Sequence, residues 1–516
     1  MSKKEKNLVV LLINSLGVSF GWKGNAVLSA DPKAFSEIWS NSRRVFISPT
    51  NHFEEAPGEP VNRDMQYYRF GSGEDFPTGQ EQLDHFVEHE ISKNIKIAEM
   101  IDYVKRHNSQ LRLMIVLTPS DIRAHTKLIE KLLLLAKTNN FFNLNIDFIL
   151  GEGFKSTAEL SQHLTRIESI IAHSHIGSIT SFSGAGFVQD RTTNKKKLNQ
   201  FCENFENCLG RRYVSVSQFI ERNKSKDPFI VEPSIILPDG RRQATLSSFS
   251  AILFSSSSNS PYCSLLSIIS KPVFHHFKHM KAALTQNAEN IENLNCVVAA
   301  SSQKSLNRKL RDQNYQTAIV SEDIRASQLR QGLFYDGKPN ASFLIATPDK
   351  SDAYLSNVSR VNQEIFRKSL SLIKEKKYNL LLIDLPCLER GANAGSFKKT
   401  VDIFKNIDSF LLPLKDAILE SDSSLILSSL YGGVEKMMVK KIHGTEETYC
   451  ETTKSPLPLI YIESDAVKNK SLKMHEVAQI SGQVTSLSAT ILDYFEILPN
   501  ASAEESLLSR LATGEK

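Results

Sequence analysis

Arg123 and His125, two residues apart, carry the side-chain types of an acid–base pair. At a helix start such residues ordinarily face solvent, and the surface reading is the expected one. Asp190-Arg191 reads as an exposed or locally paired loop charge. His275, His276 and His279 are spaced so that two of them share a helix face, which could ligate a metal. No third ligand with matching spacing follows, so a half-buried helix face is expected there. The serine run Ser255–Ser260 lacks a Gly-x-Ser-x-Gly elbow, and no base can be assigned to it. Gly184-Ala185-Gly186 is too short for a dinucleotide fingerprint. In the C-terminal half, Asp384, Glu389, Asp422, Glu435 and His443 are the groups from which a metal centre could be built. They are few and poorly spaced.

The elements that must position these residues alternate along the whole chain. Apolar, strand-like runs occur at Leu8–Ile13, Leu113–Leu117, Ile146–Leu150, Ala251–Phe254, Asn379–Asp384 and Ser424–Leu427. Between them lie amphipathic stretches, clearest at Thr126–Lys137, where Leu128, Ile129, Leu132, Leu133 and Leu135 recur at helical spacing. A second is Arg360–Lys374. Alternation of this kind predicts an α/β architecture. The opening run behind Lys3-Lys4-Glu5-Lys6 imitates a signal peptide, but Asn14-Ser15 breaks it and no small-residue cleavage site follows. It reads as a buried first strand and its loop, and Gly24-Asn25 as loop geometry.

The 516 residues are 41% hydrophobic and 23% charged, enough for two domains or one large one. Lys+Arg of 62 against Asp+Glu of 57 leaves +5, and no basic block stands out, which argues against a nucleic-acid partner. No apolar run approaches ~18–20 residues, so no transmembrane helix or membrane partner is expected. Six scattered cysteines without a CxxC pair read as reduced thiols of a cytoplasmic chain. Gly71–Gln80, with three Gly and one Pro among polar residues, and the stretch Ala299–Asn307 (AASSQKSLN) suggest hinges. They divide the chain into 1–75, 76–300 and 301–516. The first piece has one good strand and is poor as an independent core, so it is expected to complete a sheet with the last.

Short motifs then carry a resemblance. Val9 to Gly17, followed by Gly24-Asn25-Ala26, is similar to the opening of cofactor-independent phosphoglycerate mutases, "VVLVILDGWG…GNA". Asn62 to Gly73 falls on "NSEVGHLNIGAG", Asp384 to Gly395 on "NFANPDMVGHTG", and Ser428 to Met437 on "TADHGNAE-M". Thr118 to His125 resembles "SDGGVHSH", and Gly184 to Arg191 resembles "GRYYAMDR". The six landmarks keep the family's order across nearly the whole chain. The resemblance implies an alkaline-phosphatase-like mixed-sheet domain in two sequence segments, 1–75 and 301–516, with an α/β phosphotransfer-like domain inserted at 76–300. It also implies two divalent ions, typically manganese, and a transiently phosphorylated serine.

Carried over position by position, the first metal-ligand aspartate of the family is Asn14 and the serine nucleophile is Arg63. The aspartate and histidine of "DMVGH" become Glu389 and Asn393, the pair of "ADHG" becomes Leu430 and Tyr431, and the last histidine falls near Thr452. Leucine has no lone pair, and an arginine cannot take the nucleophile's role and repels a metal beside it. No metal cofactor is therefore expected. The inserted domain departs too: a family histidine aligns with Arg123, and Ser255 to Tyr262 stands where an arginine-rich segment holds substrate. The family's lysine falls near Arg325 or Ala326. Arg63, Arg123, Asp190 and Arg191 are the candidate ligand-binding residues. For Arg63 the expected reading is a solvated loop residue; the alternative is a guanidinium that pairs with Glu389 and replaces lost cationic charge, in a cleft that could still bind an anion. The resulting expectation is a catalytically degenerate relative that binds a small phosphorylated or acidic ligand or a protein partner. The alternatives are an active divergent mutase interconverting 3- and 2-phosphoglycerate in glycolysis, a related metal-dependent phosphatase, or a structural subunit of a larger assembly.

Overall fold

The computed structural model describes residues 6–19, 21, 23–49, 61, 63–74, 83–119, 121–151, 154, 156–189, 195–239, 245–246, 249–256, 262, 265–266, 269, 280–284, 295–296, 304–348, 351–393, 396–437, 439–442, 445–448, 452–463, 480–500 and 504–513. The chain divides into two compact units, one formed by Met1–Phe76 with Ser302–Lys516 and the other by Pro77–Ser301. Strands are numbered β1 to β18 in chain order among the described residues.

The first unit holds an eight-stranded mixed sheet. Its spatial order is β12 (Ala341–Ile345), β11 (Thr317–Glu322), β13 (Leu380–Leu385), β1 (Leu8–Ile13), β14 (Ser424–Ser428), β17 (Leu457–Ile462), β2 (Arg43–Ser48) and β18 (Ile480–Gln483). The five strands from β12 to β14 run parallel, and β17 is antiparallel to both its neighbours. β1 is buried throughout because the sheet is covered on both faces. Val9, Leu11 and Ile13 join one core, while Leu8, Val10 and Leu12 join the other. The run that imitates a signal peptide is thus a central strand. The helices Ser351–Glu375 and Phe397–Glu420 supply much of the first core, through residues such as Ile365, Phe366, Phe404 and Ile407. Burying each such side chain contributes about 1.5–3 kcal/mol.

The second unit has its own eight-stranded sheet, ordered β10 (Asn295–Cys296), β9 (Met280–Leu284), β8 (Ala251–Ser255), β3 (Leu111–Leu117), β4 (Leu144–Leu150), β5 (Ser178–Gly184), β7 (Ser234–Ile236) and β6 (Arg211–Tyr213). It is parallel except where β5 meets β7. The helix Ile122–Thr138 buries Leu128, Ile129, Leu132 and Leu133 against it, the stripe that the helical periodicity marks out. A small hairpin, β15 (Val439–Ile442) with β16 (Thr445–Thr448), completes the described strands. The α/β class and the mixed sheets expected from the sequence are those observed. Among the described residues no helix is long and apolar enough to cross a membrane.

Candidate functional site

Four adjacent parallel strands, β11, β13, β1 and β14, finish along one edge of the first unit's sheet. Outside the carboxyl ends of such strands is where open α/β sheets gather their functional groups. The register aligns Leu12 with both Asp384 and Ser428, which brings Asn14, just past β1, level with the residues that follow β14.

Asp384 is fully buried and takes three hydrogen bonds. Its Oδ1 accepts from Asn14 Nδ2 at 2.6 Å and from the Tyr67 hydroxyl at 2.9 Å; its Oδ2 accepts from Ser321 Oγ at 2.8 Å. Asn14 Oδ1 in turn accepts the Leu430 N–H at 3.2 Å, which fixes the amide's orientation. Burial pushes the Asp384 carboxyl above the usual carboxylate range, against the pull of Arg325 and the donors from Ser321 and Tyr67.

Beside it lies a second carboxylate. Glu389, in the helix Cys387–Asn393 that follows β13, accepts from Arg63 Nη1 at 2.7 Å on Oε1. On Oε2 it accepts from Arg325 Nη2 and, at 2.7 Å, from the Tyr431 hydroxyl. Arg325 Nη2 also donates to the Tyr431 oxygen at 3.2 Å, and its Nη1 donates to Gln328. Burial opposes ionisation of Glu389, but the two guanidiniums outweigh it and hold the carboxyl well below its ordinary value. Arg325 is only 4% exposed, and Glu389 keeps it charged despite the cost of burial. Burial, more than any neighbour, drives the Tyr67 and Tyr431 phenols well above their ordinary value. The arrangement can neutralise and hold charge. The Tyr67 and Tyr431 hydroxyls are donors to these carboxylates.

The structure corrects one expectation here: Arg63 is not a solvated loop residue. It opens the helix Arg63–Ser72, with its side chain 21% exposed, and pairs with Glu389. Of the other positions carried over from the mutase motifs, Asn14, Leu430 and Tyr431 are fully buried at this edge. Thr452 is turned away to donate to the Val61 carbonyl at 2.6 Å. The Asn393 side chain and His443 lie outside the described residues. Asp422 sits in the turn before β14, at the strand's opposite end. Glu435 is buried and occupied: Gly17 N–H donates to it at 3.2 Å, Gly433 N–H at 2.7 Å, and Thr453 Oγ1 as well. Its carboxylate ties the loop after β1 to the loop after β14. Tyr67, Ser321 and Arg325 complete the site and were not singled out from the sequence as its members. The only pointer was the family lysine falling near Arg325 or Ala326.

In the second unit Arg123 is exposed, whereas His125 is fully buried, contrary to the surface position expected of it. His125 Nε2 lies 3.0 Å from Ser255 Oγ, and Nδ1 lies 3.4 Å from the buried Asp121 carboxylate. The helix carries Leu128 and Leu132 on the side that also holds His125, so the imidazole turns inward with them. Asp190, Arg191, the three histidines at 275, 276 and 279, and Ser257–Ser260 lie outside the described residues. Gly184 and Gly186 are packing glycines, each facing the turn at Phe229. Gly24-Asn25 is the loop expected, with Asn25 capping the short helix Ala26–Ser29. Among the described residues no group of three or more His, Cys, Asp or Glu side chains is placed to hold a metal ion.

Comparison with known proteins follows the same lines. Residues 84–297 match the family model described as the BPG-independent PGAM N-terminus. The 2,3-bisphosphoglycerate-independent phosphoglycerate mutase of Francisella philomiragia is 21% identical over 512 residues, covering 96% of this chain and 97% of that protein. That of Listeria monocytogenes is 21% identical, with 98% and 99% covered. Among solved structures, the phosphoglycerate mutase of Leishmania mexicana, crystallised at low cobalt concentration, superposes with a TM-score of 0.78. It is 14% identical, and 98% of each chain is covered, so the two share a fold. In the order of its motifs and over nearly its whole length, this chain is similar to the 2,3-bisphosphoglycerate-independent phosphoglycerate mutases.

Proposed function

We propose that this chain is a catalytically silent, metal-independent relative of the phosphoglycerate mutases whose retained role is binding, of a small phosphorylated or acidic ligand or of a protein partner. The observation that carries the reading is Glu389 held between Arg63 and Arg325 at the edge where the family's chemistry would take place. The position of the family's serine nucleophile is occupied by Arg63, which has no hydroxyl to phosphorylate. The residues around it do not fit a pair of divalent cations. Leu430 has no donor atom in its side chain, Asn14 turns its amide N–H rather than its oxygen toward Asp384, and two guanidiniums stand where further positive charge would be repelled. We place the protein in the cytoplasm, in keeping with the buried free thiols of Cys202 and Cys387.

The test is turnover of 3-phosphoglycerate by the purified protein with manganese present, alongside an Arg63→Ser variant. No 2-phosphoglycerate is expected from either. Manganese-dependent turnover by the wild type would sink the reading and make the chain an active divergent mutase.

A further inference from the structure

Two carboxylates, Asp384 and Glu389, are buried side by side at the ends of β13 and its following helix. Buried carboxylates need a cation or a proton close by, because their desolvation costs several kcal/mol per charge. In a metal-dependent site the ions meet that need. Here Arg325 reaches it from the turn Asp323–Arg325, immediately after β11, and Arg63 from the start of the helix Arg63–Ser72.

We infer that the Arg325 and Arg63 guanidiniums form a built-in cation pair that stands in for divalent metal, so that the phosphatase-like unit folds and stays folded without any metal ion. The inference rests on the proposed reading and extends it from chemistry to folding. Arginine suits the task better than lysine. One nitrogen of the Arg325 fork serves both Glu389 and Tyr431 while the other serves Gln328, which a single ammonium could not reach in the same plane. The guanidinium also lies 5.8 Å from the centre of the Tyr67 ring. Tyr67 is in turn a donor to Asp384, so the two carboxylate networks share one positive group. Both guanidiniums bond Glu389, while Asp384 is held by the neutral donors Asn14, Tyr67 and Ser321 and burial biases it toward its neutral form.

Two measurements test this. Thermal melting of the wild type is compared after exhaustive EDTA treatment and in excess manganese. The midpoints are expected to coincide within about 1 °C, whereas a manganese-dependent rise of about 5 °C or more, the size expected for a saturated structural ligand, overturns the inference. A double-mutant cycle of Arg325→Met and Glu389→Gln reads the pair directly. Each single variant is expected to melt well below wild type, and the double variant to recover part of the summed loss. Simple additivity of the two losses overturns the inference. If Arg325→Met does not fold, Arg325→Lys replaces it in the cycle and the wild-type metal comparison still decides. The two readings fail separately. A manganese shift without turnover overturns the cation pair and metal independence but leaves the catalytically silent reading, and turnover without a manganese shift overturns the silent reading alone.

Discussion

Glu389 accepts hydrogen bonds from Arg63, Arg325 and Tyr431, which come from three segments remote in sequence. A carboxylate so placed stabilises the fold only while it is ionised. Its folded pKa lies below the unfolded value of ~4.3, so the contribution is whole above that pH and is lost as the pH falls through the folded value. Glu389→Gln should therefore cost about 3–5 kcal/mol at neutral pH, because it leaves two buried or half-buried guanidiniums without their anion. The difference from wild type should shrink progressively in urea titrations taken from pH 5 down to pH 3. A difference that stays constant over that range would assign Glu389 a purely steric role. Asp384 has the opposite sign: burial raises its pKa, so its contribution weakens as pH rises. At this scale the sequence was informative wherever a motif marked the position, as at Asn14, Arg63, Glu389 and Tyr431. It offered Glu389 as Arg63's partner only as the less expected alternative, because the two residues are 326 positions apart and nothing local encodes the contact. Arg325 was hidden by a loop whose register a motif comparison does not fix.

At the level of elements, the runs read as strands are those buried on both faces. β1, β3, β4 and β13 are buried from end to end and mostly apolar for that reason. β12, at the sheet edge, alternates between partly covered and exposed residues and carries no such run. β11 opens on Thr317 and closes on Ser321-Glu322, of which Ser321 serves the site, so its apolar stretch is too short to stand out. The helix Ser351–Glu375 begins nine residues before the periodic stretch recognised at Arg360, since its first turns carry mixed polar residues. Gly184, whose neighbours resemble a mutase motif, closes β5 against the turn at Phe229. A Cβ there would collide with the Phe229 carbonyl and lie 2.7 Å from Val231 N. Both obstacles are backbone, and Gly184 N–H already bonds to the Val231 carbonyl at 2.7 Å. Gly184→Ala is expected to destabilise the inserted unit by about 1–3 kcal/mol, measurable by chemical denaturation. An unchanged midpoint would show that this turn yields freely.

Over the whole molecule, each unit has its own sheet and its own apolar clusters. Residues 77–301 are continuous in sequence, whereas the other unit needs both flanking segments to place β1 and β2 among β11 to β18. A fragment spanning 77–301 is therefore expected to unfold in a single cooperative transition, and one spanning 302–516 alone is not. A broad, non-cooperative melt of the first fragment would mean that its core depends on the rest of the chain. The glycine-rich stretch Gly71–Gln80 and the serine-rich stretch Ala299–Asn307 fall close to the two junctions between the units. What no composition could reveal is that the two flanking segments interleave at β13-β1-β14, which is a matter of long-range strand order.

The 2.6 Å bond from Asn14 to Asp384 also bears on which exchanges the pocket tolerates. An aspartate at position 14 would set two carboxylate oxygens against each other, in a pocket whose positive charge is already committed to Glu389. Carboxylates could be added here only together with other changes that bring them a cation or a proton, and each exchange made alone is expected to give a less stable protein.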